Sequence, residues 1–205
     1  MTSVHIKNVV FDIGNVVVRW NPLEIIRLTF DDSSAVEEQA KSIFQSETWL
    51  SLNKGLITEN EAKAQYKEAL GLTELECERL FYYVKQTQIL IYGSVDLIKR
   101  CQSAGYHVLA LTDNVHEIVS YLKTTYTFWD LFDGAIVSAE VGLLKPQPEI
   151  YRSLLAQYDL KASETVFIDD MPYNVKGAQS VGMTGIQFEN AAQCEQGLKS
   201  FGVRL

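Results

Sequence analysis

The sequence predicts an α/β fold in three layers, a parallel sheet with helices on both faces, carrying an all-helical insertion of about seventy residues after the first strand. Three observations lead there. Short continuous apolar runs recur without polar alternation, as expected of strands buried on both faces, and such strands belong to parallel sheets. Segments with helix start and stop signals separate these runs. From about Leu23 to Ile91, by contrast, the pattern is helical and strand-poor.

In chain order, Ile6 to Phe11 reads as a buried strand that ends on Asp12 and a Gly14-Asn15 turn. Val16 to Trp20 reads as a short extended piece, after which Asn21-Pro22 opens the helical region. Within it, Thr58 and Glu61 form a capping box, Ala62, Tyr66, Ala69 and Leu70 keep helical spacing, and Gly71 terminates. Trp49 to Gly55 fits either a loop facing the crevice or a helix end closed by Gly55. Ser94 is placed to cap a helix running to Ala104 and closed by Gly105. Then follow a strand over Tyr106–Thr112, a helix over about Glu117–Tyr126 and a strand over Gly134–Ser138. A helix enters at Pro146 or Pro148 and runs to about Tyr158. A strand over Thr165–Ile168, a helix over Asn174–Val181 stopped by Gly182, and a strand over Thr184–Phe188 complete the series. The predicted division is a core of residues 1–18 and 92–205 with a helical unit over 19–91, which reads as a lid.

Composition narrows the function. Apolar residues make up 47% of the 205, enough for a packed core. A formal charge of −8 disfavours nucleic acid and anionic membrane as partners, since both call for a basic face. Cys77, Cys101 and Cys194 are odd in number, widely spaced and without a CxxC or Cys/His cluster, so reduced thiols are expected rather than zinc or disulfides. Met1 to Lys7 has no signal-peptide core, and no apolar run reaches the roughly 20 residues that span a bilayer, so a cytoplasmic protein is expected.

The candidate chemistry lies at strand ends. Asp12 and the pair Asp169-Asp170 each follow a buried run, and open α/β sheets bind ligands at the carboxyl ends of their strands. If the two strands are neighbours, three carboxylates converge with no basic residue among them, the donor set of a hard divalent cation such as Mg2+. Thr112-Asp113-Asn114 and Lys145 reach the same crevice. Taken singly, each has an ordinary reading as a cap, a turn or a solvated lysine; taken together, they suggest phosphoryl transfer. A carboxylate nucleophile can carry the phosphoryl group. Mg2+ between Asp12 and Asp170, with the Lys145 ammonium opposite, offsets its repulsion from a dianionic phosphate. The Thr112 hydroxyl and the N–H groups at the next helix start can hold the remaining oxygens.

Four motifs in order, Asp12-Ile13-Gly14, Thr112, Lys145-Pro146 and Asp169-Asp170 with Asn174 following, resemble the haloacid dehalogenase superfamily of aspartate-nucleophile hydrolases over essentially the whole chain. The resemblance implies a Rossmann-like core with a small helical cap, Mg2+ dependence, and phosphatase activity on a small phosphorylated metabolite. It implies that Asp12 is nucleophile and metal ligand and that Lys145 is catalytic. It further implies that Thr112, Asp113 and Lys145 bind substrate, and that Asp170 or Asp169 and the Gly14 carbonyl complete the metal site. Gly14 departs from the family pattern, because most phosphatases there carry a second aspartate that protonates the leaving alcohol. The subgroup with Asp-x-Gly-Asn-Val, as in Asp12 to Val16, includes sugar-phosphate phosphatases, so the glycine does not imply inactivity. A bound water, a substrate group, Asp113 or His116 could replace the missing acid. Asp113, where relatives often have Asn, is expected to point away from phosphate and offer only its backbone N–H. Arg19, Trp20, Trp49 and Asn53 are candidate specificity residues. Two rival readings are a metal-free 2-haloacid dehalogenase and a non-catalytic phospho-ligand binder. The Asp169-Asp170 pair counts against the first and the intact Asp12 and Lys145 against the second.

Overall fold

The computed structural model describes residues 5–31 and 35–205. Met1 to Val4, the start of the segment expected to lack a signal core, lie outside the described residues. Five strands, β1 (Asn8–Phe11), β2 (His107–Thr112), β3 (Gly134–Val137), β4 (Thr165–Asp169) and β5 (Thr184–Gln187), form one parallel sheet in the order β3-β2-β1-β4-β5. Each strand is a run of β-branched or apolar residues, and alternate side chains enter opposite layers. Val9, Phe11, Val108, Ala110, Val166 and Ile168 face one cluster; Val10, Leu109, Leu111 and Phe167 face the other. This is the two-sided burial that continuous apolar runs predict.

On the second face lie α9 (Pro148–Gln157) and α10 (Pro172–Ser180), and on the first α6 (Ser94–Ser103), α7 (His116–Thr125) and α11 (Ala191–Ser200). Between β1 and α6 come α1 (Pro22–Thr29), α2 (Val36–Phe44), α3 (Glu47–Asn53), α4 (Glu59–Leu70) and α5 (Glu74–Gln86). Their starts follow from side-chain chemistry. Asn21 and Ser46 cap α1 and α3. Thr58 with Glu61, and Thr73 with Glu76, form capping boxes on α4 and α5. The buried side chains of these helices, among them Ile25, Ile43, Leu52, Tyr66 and Leu80, join the sheet's first face in one continuous apolar cluster. No described helix is long and apolar enough to cross a membrane. The three cysteines are free and buried.

Some local expectations need correction. Val16–Trp20 is not a strand: the N–H groups of Val16, Val17 and Val18 all converge on the Ile13 carbonyl, making a tight turn with isolated bridges. Ser94 does not cap α6. Gly93, in the left-handed region at φ 84°, holds the cap position, and Ser94 is the first helical residue. Ser138 leaves β3 to begin the short helix α8 (Ser138–Val141). The α9 helix starts at Pro148, and Lys145-Pro146 is a cis peptide in the preceding loop. The α10 helix opens at Pro172 rather than Asn174. The α11 helix, capped by Asn190, was not anticipated from the pattern.

Candidate active site

From β1 the chain moves to β2 and β3, then returns across the sheet to β4 on the other side of β1. The carboxyl ends of β1 and β4 therefore flank a topological switch point, the position where such sheets open a crevice. Asp12 extends β1 there, its N–H donating to the Ile168 carbonyl at 2.9 Å. One carboxylate oxygen, Oδ1, accepts from the Ile13 N–H at 2.7 Å and lies 2.8 Å from Lys145 Nζ. Among the described residues Oδ2 accepts no hydrogen bond. Asp12 is thus held by one oxygen and presents the other.

Lys145 stands among the carboxylates, which corrects the expectation that no basic residue would. Its side chain is 2% exposed, and Nζ lies 2.8 Å from Asp12 and 2.7 Å from Asp169. Nζ also donates to the Leu111 carbonyl at 3.4 Å. The loop that carries it packs against α10 at Gly177, where an added Cβ would come within 2.7 Å of the Pro146 carbonyl oxygen. Burial alone would lower the ammonium's pKa, but the charges of Asp12, Asp169 and Asp113 outweigh it and raise the pKa above the ordinary lysine range.

The two adjacent aspartates have different surroundings. Asp169 is fully buried and fully engaged: Lys145 Nζ donates to Oδ2, the Met171 N–H to Oδ1 at 2.8 Å, and Asn174 Nδ2 to both oxygens at 3.1 Å. Asn174 is in turn fixed by the Tyr151 hydroxyl, which donates to its carbonyl at 2.8 Å. Asp170 is half-buried and lines the cavity, with Asn15 Nδ2 donating to its Oδ2 at 3.3 Å. Burial raises its carboxyl above the usual range, with Asp169 adding to the shift. Burial likewise pushes Asp12 well up, with Asp169 adding and Lys145 opposing.

Oxygens of Asp12, Asp169 and Asp170 all lie within 4.8 Å of one another. One ammonium faces these three acids, which leaves an excess of negative charge in a poorly solvated place. An all-oxygen donor set with that excess suits a magnesium ion.

The remaining residues singled out from the sequence fall as follows. Thr112 is the last residue of β2, opposite Val137 and 1% exposed. Asp113 lines the cavity, and its carboxylate accepts the Lys145 N–H at 3.0 Å. Burial raises this carboxyl too. The N–H groups of Asn114 and Val115 are already engaged, by Ser138 Oγ at 2.8 Å and Asn114 Oδ1 at 3.0 Å, so they are not free for phosphate oxygens. Gly14 borders the cavity with room beside it, since a Cβ would meet nothing nearer than Trp20 Cβ at 4.0 Å. His116 is outside the site and lines a separate groove with Lys123 and Glu140. Trp20, Trp49 and Asn53 do line the cavity, whereas Arg19 pairs with Glu24. Of the two readings of Trp49–Gly55 the helix end holds, since α3 ends there before Gly55 at φ 66°; it is not a loop, though Trp49, Leu50 and Asn53 face the crevice.

The cavity measures about 490 Å3. Sequence reasoning missed Asn15, Ser138 and much of the apolar wall. Asn15 had a legible signal, because its φ of 53° is a conformation that asparagine tolerates better than most residues. Besides reaching Asp170, its Oδ1 accepts the Trp20 N–H at 2.8 Å, tying the strand-end carboxylates to the start of the insertion. Ser138 Oγ donates to the Asn53 carbonyl at 2.7 Å and fastens α3 to the core.

The family profile of haloacid dehalogenase-like hydrolases matches residues 6–182. The chain belongs to that family. It is 31% identical to a sesquiterpene phosphatase of Aspergillus oryzae over 92% of this chain and 93% of that protein. It is 28% identical to a D-ribitol-5-phosphate phosphatase of Bacteroides thetaiotaomicron over 94% and 97%. In fold it is similar to a HAD family enzyme of Bacteroides thetaiotaomicron crystallised with magnesium and inorganic phosphate, with a TM-score of 0.75, 23% identity, and 90% and 95% of the two chains covered.

Proposed function

We propose that this hydrolase cleaves the phosphomonoester of a small phosphorylated metabolite through an aspartyl phosphate on Asp12, with Mg2+ as cofactor. The observation that carries the reading is the asymmetry of Asp12: Oδ1 is anchored by the Ile13 N–H and Lys145, and Oδ2 is presented. In the first step Oδ2 attacks phosphorus, and the bond from phosphorus to the ester oxygen breaks as the alcohol leaves and takes a proton. In the second, water attacks phosphorus, loses its proton and releases inorganic phosphate, restoring the carboxylate.

Lys145 keeps Asp12 oriented and sets positive charge beside the reacting group, with Asp169 and Asn174 fixing the lysine in turn. Asp113, directly after β2, borders the cavity, and Thr112 ends that strand buried behind it. Asp12, Asp170 and the Gly14 carbonyl would hold magnesium, which supplies charge stabilisation to the phosphoryl oxygens when bound. Asp169, with every lone-pair direction directed at a protein donor, serves as the anchor of Lys145 rather than as a metal ligand. Halide displacement gives no reason for this acidic pair, which favours phosphatase over dehalogenase chemistry.

The test is phosphate release from p-nitrophenyl phosphate and a panel of sugar, polyol, nucleoside and terpenyl monophosphates, with Mg2+ and with EDTA. Release is expected with Mg2+ only, with a loss on the order of 10^3-fold or more in Asp12→Asn. Release that persists in Asp12→Asn would remove the aspartyl-phosphate mechanism. Halide release from chloroacetate with no phosphate release would replace the proposal with a dehalogenase.

A further inference from the structure

The relatives range from a ribitol-phosphate phosphatase to a sesquiterpene phosphatase, so the leaving group has to be read from the cavity itself. The charged residues that border the cavity are Asp12, Asp113, Asp170 and Lys145. All four stand at the strand-end side, and the one cation is committed to Asp12 and Asp169. Among the described residues the insertion side therefore offers no cation to a second phosphate or a carboxylate. What it does offer is aromatic: Trp20 stacks on Trp49 at 5.8 Å and 16°, and Phe44 stands edge-on to both at 5.2 and 5.0 Å. Leu50 continues this wall, and Ile118 and Met171 face it from the core. These apolar groups come from separate elements and converge on one space.

The buried amides on that side are turned inward to the protein. Asn53 Nδ2 donates to the Trp49 carbonyl at 2.8 Å, and Gln88 Nε2 to the Val84 carbonyl at 3.0 Å. Both are nearly buried, at 8% and 4% exposed. One N–H of each is thus spent on the protein, which leaves few polar groups on that side, Gln45 among them, for the row of hydroxyls a polyol presents. Hydroxyls left dry and unpaired there weaken binding. An apolar chain or ring against the same wall gains by leaving water. The volume lies in the roughly 300–1,000 Å3 range that encloses a drug-sized ligand.

We infer that the substrate class is a monophosphate of an uncharged, apolar alcohol, prenyl or aromatic, with its apolar part against Trp20, Phe44, Trp49 and Leu50. This rests on the phosphatase reading above, and the test separates the two. Tryptophan fluorescence of the Asp12→Asn protein in Mg2+ buffer is titrated with geranyl monophosphate, ribitol monophosphate and inorganic phosphate. Wild-type turnover of the two esters and of p-nitrophenyl phosphate is measured alongside. The expected result is a Kd for geranyl monophosphate at least tenfold below that for the polyol ester, and a matching preference in kcat/KM. Leu50→Gln, at a position already 38% exposed, is expected to shrink the ratio severalfold while the fold survives. A polyol ester bound as tightly as the geranyl ester overturns the inference, as does an unchanged ratio in Leu50→Gln. Turnover of p-nitrophenyl phosphate without a geranyl preference leaves the phosphatase standing and removes only the substrate class. Selective geranyl binding with no turnover of any ester removes the phosphatase and leaves the apolar pocket.

Discussion

The two walls of the cavity are built on opposite principles. At the strand ends, charged groups are held by multiple short contacts: Lys145 between two carboxylates, Asp169 under three donors, and Asp12 fixed by one oxygen. Across from them, the insertion contributes aromatic rings that touch one another and amides bonded to their own helices. Under the proposed function the strand ends carry the reaction and leave the alcohol open, and the insertion selects the alcohol. A chain can thus change substrate by altering α1 to α3 while its chemistry stays on the sheet. The two walls meet at few points, chiefly Asn15 with Asp170 and Trp20, and Ser138 with Asn53.

The largest effect is expected at the centre of the charged wall. Lys145→Met removes the ammonium and leaves Asp12 and Asp169 buried without it, a change that typically destabilises by about 3–5 kcal/mol. Urea unfolding would read it. The ammonium's pKa is raised in the folded protein, so its contribution is fully present below the unfolded lysine value of about 10.4 and is lost as pH rises through the folded value. The gap between wild type and variant should therefore be wide near neutral pH and close in strong alkali. A gap that stays small at pH 7 would mean the lysine is not what holds this wall together.

The proposed magnesium would act on the same wall from the other side. The carboxyls of Asp12, Asp113 and Asp170 are raised by burial. A raised carboxyl favours the fold below its unfolded value, near 3.9, and loses that advantage as pH climbs through the folded value, where the charge must be carried. A cation that shares the charge restores stability above that range. Thermal melts with Mg2+ against EDTA should show a gain of about 2.7 kcal/mol at a hundredfold excess over Kd. The gain should be larger at pH 7.5 than at pH 5. An equal gain at both would place the ion away from these acids.

How far each wall was legible in the sequence follows from the range of the forces involved. Asp12 and Asp169-Asp170 could be picked out because a charge at the end of a buried strand is locally anomalous, Lys145 stood out only in company with them, and the capping box at Thr58 is complete within four residues. Strand identity was legible for the same reason. The division of labour between Asp169 and Asp170 was not, because it depends on Asn174, Met171 and Asn15 arriving from different elements. His116, by sequence one of several groups that could replace the missing acid, lies on α7 in another groove. The valine run at Val16–Val18 has β propensity but folds as a turn, because three N–H groups close on the Ile13 carbonyl. The stacking of Trp20, Phe44 and Trp49 joins residues from α2, α3 and the turn before α1, and no periodicity encodes that.

The seam between the walls gives a smaller effect. Gly55 follows α3 at φ 66°, and a Cβ there would come within 2.1 Å of the Ala139 carbonyl oxygen. Gly55→Ala therefore adds backbone strain and forces α3 off the core beside the Ser138–Asn53 bond. A loss of about 1–3 kcal/mol is expected in urea unfolding. KM should rise more than kcat falls, because the displaced element lines the cavity and does not carry Asp12. The reverse split would show that the insertion also positions Asp12.

The smallest effect on stability, and the sharpest test of the division between the walls, is Gly14→Asp. Gly14 is outside the left-handed region and has open space beside it, so with Mg2+ present to offset the added negative charge the substitution should change stability by less than about 1 kcal/mol. It places a carboxyl at the cavity next to the nucleophile, where an acid can protonate a departing alcohol. An alkyl alcohol leaves poorly without a proton, whereas p-nitrophenolate leaves readily. If proton supply limits the wild type, Gly14→Asp should raise kcat for an alkyl monophosphate about tenfold and leave p-nitrophenyl phosphate unchanged. An equal change for both esters would point instead to altered phosphate binding. No change for either would mean that the charged wall already delivers the proton through a group it holds, with Asp113, the raised carboxyl bordering the cavity, as the first candidate to replace.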